Sequence, residues 1–164
     1  MRLKHRAALV ALAGLIVAAP ATGQRPDDQI AARSIALQRE GEALLGSGKF
    51  IEAADSLETA LAVDPRNRSA FVALAKVAQK QKLFGKSIRL TNKALALEPA
   101  DRDALAVQGE AMVELGALPR ARENLAKLQK LCAGGCPQVA SLTNAISRGP
   151  TVAAARTPAT PKVN

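Results

Sequence analysis

One string of the chain occurs twice. Residues 51–65, IEAADSLETALAVDP, are echoed at 87–99 as SIRLTNKALALEP, and each copy closes on Ala-Leu-Ala, an apolar residue, an acid and a proline. The two prolines, Pro65 and Pro99, lie 34 residues apart. A fixed period of this length means stacked supersecondary units, each too small to bury its apolar face alone, and so restricts the chain to repeat architectures. Such a chain presents a surface, and the repeat by itself does not say what binds there.

The units are helical. Ala, Leu, Lys, Glu and Gln dominate, β-branched runs are scarce, and the aromatics are only Phe50, Phe71 and Phe84; this favours helix and demands close helix–helix approach, because few large side chains are present to fill space. Asp27 or Asp28 is placed as the cap of a first helix that carries Ile30, Ile35, Leu37, Leu44 and Leu45 and ends at Gly46-Ser47-Gly48. A second spans 50–63, with Ile51, Ala54, Leu57 and Leu61 on one stripe and Ala53 and Ala60 beside it, and stops at Asp64-Pro65. Asn67 caps a third, 69–81, with Phe71, Val72, Leu74, Ala75 and Ala78 on its apolar face. A fourth spans 85–97, Asp101 caps a fifth at 102–115, and Gly116 separates that from a sixth at 119–131. Pro137 opens a seventh, 137–147, with Val139, Leu142 and Ile146 at the spacing of a capping helix.

Laid at a period of 34, residues 34–67 place Leu37, Gly41, Leu44, Ala53, Leu57, Ala60 and Pro65 at positions 4, 8, 11, 20, 24, 27 and 32. Residues 68–101 place Phe71, Leu74, Ala75, Ala78, Ser87, Ala94 and Pro99 at 4, 7, 8, 11, 20, 27 and 32. Residues 102–135 repeat the pattern with Leu105, Gly109, Met112, Ala121 and Leu125, then lose it at Leu128 and Ala133. Glu40 at position 7 and Thr91 at position 24 depart from it. A small residue at position 8 admits the partner helix at positions 20 and 27, and proline at 32 ends the second helix of the pair. In this phased set the chain resembles the tetratricopeptide-repeat family over about 100 of its 164 residues. The resemblance implies an all-α solenoid of three helix-turn-helix hairpins, followed by a capping helix at 136–148.

The ends read differently. Arg2, Lys4, His5 and Arg6 precede an apolar run at 7–19, and Ala19-Pro20-Ala21 supplies a small-x-small cleavage pattern, so residues 1–21 are expected to be a signal peptide cut after Ala21, or else after Gly23. The run is shorter than the roughly 20 residues a membrane anchor needs. The compact leader and the Ala-rich composition imply a bacterial-type exported protein, placed in the periplasm. The net charge is +9, and +6 once Arg2, Lys4 and Arg6 leave with the leader. Residues 22–33 read as a linker with a helix extension, and 149–164, with Pro150, Pro158 and Pro161, as a disordered tail. Cys132 and Cys136 flank Ala133-Gly134-Gly135 at a turn, and one structural disulfide is expected for an exported chain with two neighbouring cysteines. The C-x-x-x-C spacing argues against a redox pair. The only histidine, His5, sits in the leader, which leaves a metal site without imidazole.

No nucleophile elbow, phosphate-cradling loop or general-base histidine occurs after residue 21. The reading is therefore non-enzymatic and without cofactor. Scattered positive charge without interleaved aromatics disfavours nucleic acid. The resemblance implies a concave groove lined by the first helix of each hairpin, which here means Gln38, Glu42 and Leu45, then Val72, Lys76, Gln79 and Lys80, then Asp103 and Glu110, with Ile35, Ser69, Ala106 and Val113 among them. The same family includes a carboxylate clamp of Lys, Asn and Arg. Its positions carry Gln38, Glu42, Ala73, Asp103 and Val107 here, so the clamp is absent. The expected partner is a protein or peptide held in the groove. The competing expectation is an assembly accessory that self-associates or docks to an envelope complex, with the groove filled by its own termini.

Overall fold

The computed structural model describes residues 29–151. The leader, most of the linker and the tail beyond Thr151 lie outside the described residues. Among these residues seven helices follow one another: α1 (Ala32–Gly46), α2 (Phe50–Val63), α3 (Arg68–Lys80), α4 (Phe84–Leu97), α5 (Arg102–Glu114), α6 (Leu118–Leu131) and α7 (Pro137–Arg148). No strand occurs among the described residues. The pairs α1/α2, α3/α4 and α5/α6 form three hairpins, and α7 packs on α5 and α6 as a half-unit at the end.

Packing follows the small residues. Ala53, Leu57 and Ala60 of α2 bury against Ala70, Ala73, Leu74 and Val77 of α3. Ala75 and Val72 meet Ala94 and Ala104 in the next layer. Gly41 is needed where α1 crosses α2, since a Cβ there would stand 2.5 Å from Leu57 Cγ and 3.2 Å from the Ala53 carbonyl oxygen. Gly109, its counterpart in the third hairpin, serves a different neighbour: a Cβ would meet Leu142 of α7 at 2.7 Å. The last glycine of the pattern thus seats the capping helix, rather than the second helix of its own hairpin.

Two expectations need correction. Ile51 does not join the buried stripe of α2; it is 71% exposed, and Ala53, Leu57 and Ala60 carry the contact. The first helix starts at Ala32, with Ala31 at its cap and no side-chain cap bond, so neither Asp27 nor Asp28 opens it. Its start is held from a distance instead. Ala31 N–H donates to Asp64 Oδ2 at 2.9 Å. Asp64 is buried, and it also accepts from the Arg66 backbone N–H and Nε, both at 3.1 Å. The Arg66 side chain, helped by the Ala31 amide, holds the Asp64 carboxyl well below the usual carboxylate range, against the opposing effect of burial. Ser34 Oγ donates to the Ala60 carbonyl at 2.7 Å and accepts from Asn67 Nδ2 at 2.9 Å, while Asn67 Oδ1 caps α3 through the Ala70 N–H. One polar cluster therefore ties the start of α1, the end of α2 and the start of α3.

Departures from the repeat pattern fall into place. Position 7 faces the preceding unit: Leu74 is buried there, whereas Glu40, with no unit before it among the described residues, is exposed. Gln108 takes position 7 of the third hairpin. Its Nε2 donates to Asn92 Oδ1 at 2.6 Å and reaches Thr91 Oγ1 at 3.4 Å, and its Oε1 accepts from Asn124 Nδ2 at 3.0 Å. The polar Thr91 in an apolar position is thus one member of a buried network joining α4, α5 and α6.

Candidate functional site

The first helices of the hairpins, together with α7, face one side and line a run of joined depressions. The one nearest α1, of about 110 Å³, is lined by Gln38, Glu42, Val72, Lys76 and Asp103 with Arg68 and Ser69. The next, of about 390 Å³, is lined by Leu45, Lys76, Gln79, Lys80, Asp103 and Glu110, with Ala106 and with Pro137, Gln138 and Ser141 of α7. All nine residues singled out from the sequence therefore lie on one continuous surface, and Lys76 and Asp103 are shared by both depressions. Val72 forms part of its floor and is 5% exposed. Ile35 is half-buried. Val113 is not in the groove: it is buried with Met112, Ala121 and Ala145, because α7 lies over it.

The electrostatics are uneven. Glu42 accepts from Gln38 Nε2 at 3.1 Å, Asp103 from Gln138 Nε2 at 2.7 Å and Glu110 from Ser141 Oγ at 2.5 Å. Gln79 Nε2 donates to the Val107 carbonyl at 2.7 Å, which braces α3 against α5. Lys76 and Lys80 stand one turn apart on α3, both exposed, and no ion pair joins either to a described residue. The acids of the groove are thus held by neutral donors while its central cations are free.

The contribution of α7 was missed from sequence. The signal was present, because Cys136 stands 34 residues after Arg102 and the register continues into a fourth first-helix. Cys132 caps the end of α6 and Cys136 the start of α7, and the two form a disulfide with Cα atoms 5.8 Å apart. That bond fixes the wall to which Gln138 and Ser141 belong.

Among the described residues no group of His, Cys, Asp and Glu is placed to hold a metal ion, and no helix is long and apolar enough to cross a membrane.

No protein-family profile matches the sequence, and comparison with curated proteins finds no match. Comparison of structures does. The TPR domain of Sgt2 from Aspergillus fumigatus superposes with a TM-score of 0.66 at 20% identity, covering 82% of this chain and 90% of that one. The fold is that of a tetratricopeptide-repeat array. Two further TPR structures agree. The TPR2B domain of yeast Sti1, in a complex with pHsp70, gives a TM-score of 0.65 at 16% identity over 72% of this chain and 98% of that one. The second TPR domain of human RPAP3, in complex with the HSP70 peptide SGPTIEEVD, gives 0.63 at 21% identity over 69% and 94%.

Proposed function

We propose that this TPR protein is a non-enzymatic interaction module, exported to the cell envelope, that holds a segment of a protein partner in its concave groove. The observation that carries the reading is the convergence of the nine predicted groove residues on one surface, with Lys76 and Lys80 unpaired at its centre. TPR domains of the same fold occur with bound peptide, which supports a polypeptide occupant. The HSP70 peptide in the human RPAP3 complex, SGPTIEEVD, is acidic toward its C-terminus. At the positions a carboxylate clamp would use, this chain instead offers Gln38, Glu42 and Asp103, so a free C-terminus is not the feature it grips. Export rests on the leader read at residues 1–21.

A photo-crosslinking residue at Gln79 of the full chain, expressed in the cell that makes it, tests the reading. A polypeptide should be captured from Gln79 and not from the convex Ile51, and Lys76→Glu/Lys80→Glu should cut the yield about tenfold. Capture that ignores the two charge reversals would remove the groove from the mechanism.

A second reading, in which the groove is filled by the protein's own chain within a larger assembly, draws on Thr151. Its N–H and Oγ1 donate to Glu114 Oε2 at 2.9 and 2.8 Å, which holds Thr151 at the rim of the groove. Deleting 152–164 would raise capture at Gln79 under this reading alone, and light scattering of the full chain separates a monomer from a self-associated form.

A further inference from the structure

We infer that the α7 end of the groove is a separate cation-lined subsite that takes an acidic stretch of a polypeptide carrying an apolar side chain; this rests on the groove reading and gives the partner a chemistry. The depression there, about 550 Å³, is larger than the two already described and continues from them through Gln79, Lys80, Glu110 and Ser141. Three cations line it, each from a different element: Lys80 on α3, Lys82 in the α3–α4 turn and Arg148 on α7. None of the three makes an ion pair with a described residue. The two acids in the same wall are already engaged, Glu110 by Ser141 Oγ and Glu114 by Thr151 among its partners. A concave wall with free cations and occupied acids raises the local concentration of anionic groups.

Lys82 supplies an independent observation. It is the one non-glycine residue with positive φ among the described residues, at 60°. The two other hairpins fill the same turn position with Gly48 and Gly116, both at φ 77°. Only glycine adopts that conformation without steric penalty, so the second hairpin carries strain that the turn does not require. A strained side chain aimed at a depression, with no structural partner, is the arrangement expected where a ligand contact is kept at the expense of the fold. Phe84, half-buried on the floor, adds an apolar surface. It is the only aromatic side chain in the wall, too few for the ring stacking that single-stranded nucleic acid uses, so the anion is assigned to a polypeptide.

Fluorescence anisotropy with the full chain tests this. The probes are a labelled peptide rich in Asp and Glu with one Phe, the same peptide with Lys and Arg in place of the acids, and an oligothymidylate of matched charge. The acidic peptide should bind at least about tenfold more tightly than the basic one, with affinity falling as salt rises. Lys82→Gly/Arg148→Gln should lower that affinity about tenfold, while Lys82→Gly alone raises the thermal midpoint by roughly 3 °C as strain is released. The opposite directions of the two effects exclude misfolding as the cause of lost binding. Affinity unchanged in the double variant, or tighter binding of the oligonucleotide, overturns the proposal. The failures separate cleanly: if capture at Gln79 still depends on Lys76 and Lys80 while the acidic probe ignores Lys82 and Arg148, the groove stands and this subsite does not.

Discussion

The turn between α2 and α3 and the turn between α6 and α7 both join a hairpin to the unit that follows it and are built from different materials. The first is a polar cluster. Asp64, Arg66 and Asn67 gather the ends of three helices through side-chain hydrogen bonds, and Pro65 ends α2. The second is a covalent link, with Cys132 where Asp64 would be and Gly135 where Asn67 would be. The intermediate turn, between α4 and α5, shows why. Asp101 caps α5 through the Ala104 N–H at 2.7 Å and pairs with Arg68 Nε at 2.6 Å, repeating with charge what Asn67 and Ser34 do without it. Its acid, Glu98, folds back onto Ala100 N–H at 3.0 Å. It has no distant donor to reach, because the residue equivalent to Ala31 is Pro65, which carries no N–H. Each turn must satisfy the start of the next helix and fix its direction. Where glycine takes the place of Asn67 and the cap, Cys136, makes no side-chain cap bond, a disulfide supplies the direction.

The largest test of this contrast is Asp64→Ala. It leaves the Ala31 amide and the Arg66 guanidinium without their shared acceptor and should cost about 3 kcal/mol in urea unfolding. Because the folded-state pKa of Asp64 lies below its unfolded value, the unfolded chain takes up the proton first on acidification. Its contribution is therefore full above about pH 5 and drains as the pH falls through 4 and below. The unfolding midpoint of the parent should fall faster with acid than that of Asp64→Ala, and parallel pH profiles would show that Asp64 is not the group responsible. Next in size is Cys132→Ser/Cys136→Ser. For so short a loop the loss of constraint is worth about 2 kcal/mol. Hydrogen exchange should show that loss in α7, with α1–α4 protected as before; uniform loss along the chain would mean that the polar and covalent turns are not independent. Smallest is Asp101→Ala, at about 1.5 kcal/mol by chemical denaturation, since it removes one cap and one half-exposed ion pair. A cost equal to that of Asp64→Ala would erase the difference drawn between the two polar turns.

Much of the scaffold was legible. The span 50–63 expected for the second helix is the one observed, and the other spans agree to within a residue or two at each end except at the start of α1. Asn67 and Asp101 are the caps the sequence names. These features are local, set by proline, by side-chain caps and by the spacing of small residues. What stayed hidden depends on distant partners. Ala31 is an ordinary alanine until Asp64 is folded against it. Gln108, Thr91 and Asn124 each break the apolar pattern singly and make sense only together. The groove residues could be named because the register fixes which face they share. The wall supplied by Gln138, Ser141 and Arg148 could not, because its helix was read as a lid on the end of the array and not as the next unit in it.

The disulfide also bears on how the chain reaches its final form. The sequence holds two cysteines and so has a single intramolecular pairing open to it, with no wrong partner to be unpicked later. The two sulfurs are four positions apart, so they can find each other before the rest of the array has assembled. They also come last in a chain that emerges N-terminus first, after the three hairpins. Oxidation therefore need not wait for the array to close, and the thiol content of a sample reports how many of its molecules carry the bond.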